Sequence, residues 1–287
     1  MLKVIGIVIM VCACAVYAAQ AQVVSTLPDI ERTEQSLFLY EVKLIDEFAE
    51  RFNDEADSYL RRQSKRLVGT DSFITRHRLI RSLFDGQQQW GADTGRFIAD
   101  VLNKEHPAFV SLTDSSFYVS IMCTFETNRV KYKLPIVLQM RAVQDAHCWM
   151  IAGVGQSAAT DTVQLRAGKQ QDTRARDNFI PTTAHGSGFA TLRSLLSPEM
   201  YAPGLFTPQA LDNAQVQRLI TLINSGRTHF LHAGNMVFHY YGIDGWAFTV
   251  SRAKRNHTNS GWLISNLTAV TKAEKEQLRH RLLQNGQ

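Results

Sequence analysis

The chain has 287 residues, 45% of them apolar and 20% charged, with a formal net charge of +5. This is globular composition: it excludes an intrinsically disordered chain and leaves room for one large or two small cores. The excess of bases is mild, and they are spread in groups around Arg61, Arg76, Arg174 and Arg252, which reads as solvated surface and excludes the concentrated stripe that a nucleic-acid partner requires.

The chain opens as a targeting signal. Met1-Leu-Lys3 is positive, residues 4–19 are apolar and uncharged, and Ala19-Gln-Ala21 places small residues just before Gln22. These are the three regions of a secretory signal. The signal, residues 1–22, is therefore expected to be removed by cleavage at the Ala21 and Gln22 site, and the mature chain exported to the periplasm or envelope. Two other fates stay open. The apolar run approaches the lower length for a retained membrane anchor, and Cys14 in Val11-Cys-Ala-Cys14 loosely matches a lipidation site.

The mature chain keeps two cysteines, Cys123 and Cys148, both in strand-like segments. An oxidising compartment permits a disulfide between them. The alternative is two buried free thiols, since cysteine packs as a small hydrophobe. Without a histidine pair at ligand spacing they imply no zinc site, and no cofactor motif is present.

After a linker at 23–32, one long helix is expected over 33–67, because Leu37, Tyr40, Leu44, Phe48 and Phe52 recur at helical steps and Gly69 can end it. A second helix is expected over 73–84 and a short third over 95–103. Strands follow at 117–126, 130–143 and 148–154, where β-branched and aromatic residues concentrate, joined by turns short enough to require antiparallel neighbours. Residues 156–186 are polar and read as a linker, with one short strand at 163–165. The chain then restarts with helices: a short one at 189–196, and one from Thr207-Pro208 to about Asn224. Strands are expected at 228–233, 236–241, 246–255 and 262–270, with Gly242-Ile-Asp-Gly245 as a hairpin turn. A last helix over 272–283 is charged nearly all round and is expected to fray.

Two stretches in this order look like copies. Residues 134–143, a polar break and 148–154 match residues 246–252, a polar break and 261–267. In each, the closing strand is led by a tryptophan, Trp149 or Trp262, with Ile151 or Ile264 two residues on and so on the same face. The expected fold is α+β: two helix-then-antiparallel-sheet units in tandem after a signal peptide. The first unit spans 23–155, the linker 156–186, a second and smaller unit 187–271, and a polar tail 272–287. Trp149, Ile151, Trp262 and Ile264 are expected to seal each sheet against its own helices.

This helix-first, strand-last plan resembles the NTF2-like (cystatin-like) superfamily, an α+β cone of bent sheet wrapped on helices. The hairpins at 134–154 and 246–267 carry the likeness, which covers most of 33–154 and more loosely 187–270; the second unit has a shorter leading helix than the family shows. The resemblance implies a pocket between helix and sheet but no single activity, since such cones serve as enzymes, binding modules and assembly parts.

Candidate site residues are sparse. His239 and Tyr241 share a face, and His229 is placed to join them if that face lines a pocket; the bland reading is a solvated face. His229 and His232 have helical metal spacing but fall in an expected strand, where they point apart, so no metal is expected. Asp100, Glu126 and Asp145 are the carboxylates available as a general base. The expectation is an exported envelope protein of bacterial type that binds a protein partner or small ligand without catalysis, touching membrane only through its signal, an anchor or a lipid. The alternatives are an NTF2-like isomerase, dehydratase or hydrolase, and a membrane-anchored assembly component.

Overall fold

Seven strands join edge to edge in one antiparallel sheet. The computed structural model describes residues 32–156, 179–197, 203–254 and 259–286. The expected cleavage site at Ala21 and Gln22 and the short strand at 163–165 lie outside the described residues.

The N-terminal half opens with helical residues 32–37, then α1 (Ile45–Asn53), α2 (Tyr59–Val68), α3 (Arg76–Ser82) and α4 (Asp93–Val101). The long helix expected over 33–67 is thus broken twice. At the first break the backbone of Val42 is drawn to the sheet, its N–H donating to the Ser260 carbonyl at 2.9 Å while its own carbonyl accepts from Trp262 N–H at 2.8 Å. At the second, Asp54 turns left-handed (φ 59°) and closes α1. Strands β1 (Phe117–Thr127), β2 (Val130–Val143) and β3 (Ala146–Val154) follow almost where the sequence places them.

In the second half, β4 (Ile180–Pro181) lies inside the expected linker and pairs with β3. A 3-10 turn (Thr182–Ser187) leads to the short helices α5 (Leu192–Leu195) and α6 (Pro208–Leu211), then α7 (Ala214–Asn224). The side chain of Asn213 caps α7 and splits the helix expected from Thr207 onward. The two strands expected over 228–241 are one, β5 (Thr228–Tyr240), bent against β1 by two register shifts. The closing strands are β6 (Trp246–Ala253) and β7 (Gly261–Ala269), and the last element is α8 (Lys272–Asn285).

The strand order is β4-β3-β2-β1-β5-β6-β7. The two meanders therefore meet through their first strands, β1 against β5, from Phe117 opposite Tyr240 to Thr127 opposite Thr228. Two self-sealed units with separate cores, as the sequence suggested, are not what this pairing builds. Trp149 and Trp262 lie in one hydrophobic cluster. A row of rings spans the sheet between them: Trp149 to Phe117 at 5.2 Å, Phe117 to Phe238 at 5.6 Å, and Phe238 to Trp262 at 5.0 Å.

The helical covers are also exchanged. The N-terminal helices lie on the C-terminal meander: Phe97 of α4 meets Trp246 at 5.5 Å and Phe52 of α1 stacks on Phe248 at 6.0 Å. The mid-chain segment lies across the N-terminal meander and the seam: Phe189 meets Trp149 at 5.6 Å, α6 and α7 touch β3, and α5 and α7 also reach β5 of their own half. Backbone hydrogen bonds at Ile151 and Ile264 follow the same exchange. Ile151 accepts from Thr207 N–H at 2.9 Å, and Ile264 accepts from Asp85 N–H at 3.1 Å. These bridges and β4 also cover the outer backbones of β3 and β7, which would otherwise offer unpaired edges.

On the opposite face, α8 runs from the β6–β7 end back to β3 and packs on Tyr118, Val137, Tyr241 and Ala247 through Leu282. The expectation that it frays fails at both ends. Thr271 and Glu274 form a capping box at its start. At its end the backbone lies so close to Gly153 that a Cβ there would overlap the Leu283 carbonyl.

Candidate functional site

The chain entering α1, the 3-10 turn and the middle of β5 enclose a cleft of about 130 Å³, with His185, Ile45, Phe238 and Trp262 on its walls and Lys43 and Arg252 beside them. The turn is set locally. Pro181 leads into it in extended backbone, and Gly188 and Phe189 both take left-handed backbone (φ 63° and 57°) to leave it. That tight reversal lowers His185 onto the first turn of α1, where Asp46 stands.

His185 Nε2 lies 2.9 Å from Asp46 Oδ2. An ionised carboxylate only accepts, so Nε2 carries the proton and, in the neutral ring, Nδ1 holds the free lone pair. The hydrogen bond from His185 holds the Asp46 carboxyl below its ordinary range, against the opposing effect of burial. The helix N-terminus favours the same charge. Nδ1 is buried and has no hydrogen-bond partner, and the Tyr240 hydroxyl, deeper in the core, has none either. Burial first and the Asp46 charge second push the Tyr240 phenol well above its ordinary value. The arrangement is a hydrogen-bonded acid–base pair with an unused nitrogen beside a narrow, aromatic-walled opening.

The residues singled out from sequence lie elsewhere. His239 and Tyr241 do share a face, with rings 6.4 Å apart, but it is the face covered by α8. His239 Nε2 sits 3.0 Å from Ser120 Oγ, and burial pushes its imidazole down to about 4. His229 is exposed near the far end of the same strand, opposite Glu126. At strand rise the ten intervening steps separate it from His239 by roughly 33 Å. Asp100 accepts from Trp246 Nε1 at 2.9 Å and so anchors α4 to the sheet; Asp145 is exposed in the β2–β3 turn.

Cys123 and Cys148 are both free and buried. They sit on β1 opposite Leu134 and on β3 opposite Arg141, with β2 between; two strand spacings across and seven residues along β2 put them roughly 25 Å apart, beyond the reach of a disulfide. Burial pushes the Cys123 thiol up to about 12 and raises that of Cys148. Among the described residues no group of three His, Cys, Asp or Glu is placed to hold a metal.

Sequence reasoning passed over both members of the pair. Asp46 lies 139 residues before His185, and at that separation neither pattern nor period joins two residues. The one local sign was a histidine lodged in the turn-forming stretch Thr182-Thr-Ala-His-Gly-Ser-Gly188. Comparison of the chain with protein families, with curated proteins and with solved structures finds no match in any of the three.

Proposed function

We propose that this chain is an exported, non-enzymatic binding or assembly module of the cell envelope, built on a duplicated NTF2-like plan. The filled helix-facing side of the sheet carries the reading. Where an NTF2-like cone would hold a pocket, the aromatic row from Trp149 to Trp262 occupies the space. The cleft that remains, about 130 Å³, is smaller than the few hundred Å³ that a bound small molecule requires. Binding then falls to the outer surface. The two meanders and their equivalent Ile151 and Ile264 bridges support the duplication. Fractionation of cells making the tagged chain tests the reading. The chain is expected in the envelope fraction, starting near Gln22 or retaining its apolar run; a cytoplasmic chain with Met1 intact overturns it.

One observation favours a second reading, an enzyme of the isomerase, dehydratase or hydrolase kind. It is the His185–Asp46 pair with its unused Nδ1, the geometry of a general base. His185→Ala decides between the two. Partner binding that survives with an unchanged melting temperature keeps the binding module. A turnover that the substitution abolishes, in a chain that still melts normally, moves the assignment to an enzyme.

A further inference from the structure

The corner formed by residues 32–39, α2 and α3 combines exposed apolar side chains with cations that lack counter-charges. Residues 59–84 hold seven bases, Arg61, Arg62, Lys65, Arg66, Arg76, Arg78 and Arg81, and a single acid, Asp71. Asp71 is already taken, 2.9 Å from Arg61 and 3.5 Å from Lys65. Arg76 is turned inward onto the Phe52 carbonyl at 2.9 Å. Arg62, Arg66, Arg78 and Arg81 face no carboxylate among the described residues, and Lys65 stays largely exposed.

Arg78 and Arg81 flank an open groove of about 340 Å³ floored by Phe38, Leu39 and Phe84. The Arg78 guanidinium lies over the Phe38 ring at 4.5 Å. Leu39 is 43% exposed, and Leu67, at the end of α2, is 47% exposed. Arg62 and Arg78 each donate to a backbone carbonyl, of Asp57 and Phe73, and keep their charge uncompensated; leucines amid guanidiniums without counter-charges suit a partner that is anionic at its surface and apolar just beneath.

We propose that this corner docks on an anionic bilayer surface, the guanidiniums taking lipid phosphates and Leu39 entering the interfacial layer. Charge complementarity is the first argument, since each cation near an anionic leaflet adds to the attraction and one or two apolar anchors make it persistent. Chain length is the second. Only residues 20–31 separate the apolar run at 4–19 from this corner, so a run held in a bilayer keeps the corner within about 40 Å of it. This second argument alone rests on the export reading; the first stands whether or not the run is kept.

Vesicle co-sedimentation of the full chain tests the docking. Phosphatidylcholine vesicles measure whatever the apolar run contributes, and mixed phosphatidylcholine–phosphatidylglycerol vesicles add the charge. Binding is expected to be at least tenfold tighter to the mixed vesicles, and about 0.5 M salt should remove the difference. Arg66→Glu with Arg81→Glu should lose that tenfold preference. Lys131→Glu with Lys133→Glu, the same charge change on the β1–β2 hairpin, should keep it. If the first pair melts early, Arg81→Gln carries the test with an expected loss of about fivefold. Equal binding to both vesicles, or equal loss in both double variants, overturns the proposal. So does a corner that retains soluble polyglutamate but not anionic vesicles, which points to an acidic protein partner instead. A cytoplasmic chain that still shows the lipid preference defeats the export reading and leaves the docking intact.

Discussion

His239 is a buried imidazole hydrogen-bonded to the Ser120 hydroxyl. The fold keeps it neutral, with its pKa pushed down to about 4 from an ordinary 6.5. The unfolded chain binds a proton below about pH 6.5 and the folded chain does not until about pH 4, so stability falls as pH drops through that window. The full shift corresponds to about 3 kcal/mol. Urea unfolding from pH 7 to pH 4 is expected to show this loss in the parent and to lack it in His239→Gln; parallel curves would mean that the imidazole is hydrated and already titrating. Asp46 acts in the same direction at lower pH, because its depressed carboxyl stabilises the fold above its ordinary range and loses that contribution as pH falls. None of this was legible in the sequence. His239 and Tyr241 could be placed on one face by strand alternation, but whether that face met water or a helix depended on α8.

The element that most departs from its sequence appearance is α8. Residues 272–285 show no apolar stripe wide enough to demand burial, yet the helix closes the back of the sheet through Leu282 with help from Leu278 and Leu283. Its placement depends on small residues it does not contain. Gly153 on β3 lets the Leu283 backbone approach, and Gly286 lies against Pro135. Gly153→Val is therefore expected to lift the end of α8, cost about 1–3 kcal/mol as an overpacked contact, and expose apolar surface around Tyr118 and Val137. Melting curves together with binding of an apolar dye check this; an unchanged melt would show that α8 contributes little to closing the face. The N-terminal break at Val42 has the same kind of cause. Its helical period was real, but its backbone was recruited by Ser260 and Trp262, more than two hundred residues further on.

At the scale of the whole molecule, the exchange of helical covers ties the two halves together. Each meander is covered in part by helices from the other half, and the Phe117–Phe238 contact lies across the β1–β5 seam. Neither half should then fold alone, since each would expose the face meant for the other's helices. Residues 1–156 and 179–287 produced separately are expected to aggregate or remain unfolded, and to recover a cooperative melt when refolded together. If either half alone gave a cooperative melt and dispersed spectra, the two cores would be separable after all.

By itself the sequence determined the chemistry of each segment. It set five of the seven strands to within a few residues, the turns at Gly69 and Gly245 and the α+β class, because these depend on contacts within a few residues or one hairpin. Tertiary structure alone decided the single sheet, the shared core of Trp149 and Trp262, the crossed helices, the His185–Asp46 pair and the free state of Cys123 and Cys148. Alternation shows that a strand has an apolar face, but it does not say which helix covers it. A helix laid over its own meander and one laid over its neighbour's bury the same kinds of side chain, and the pairing of β1 with β5 selects between them.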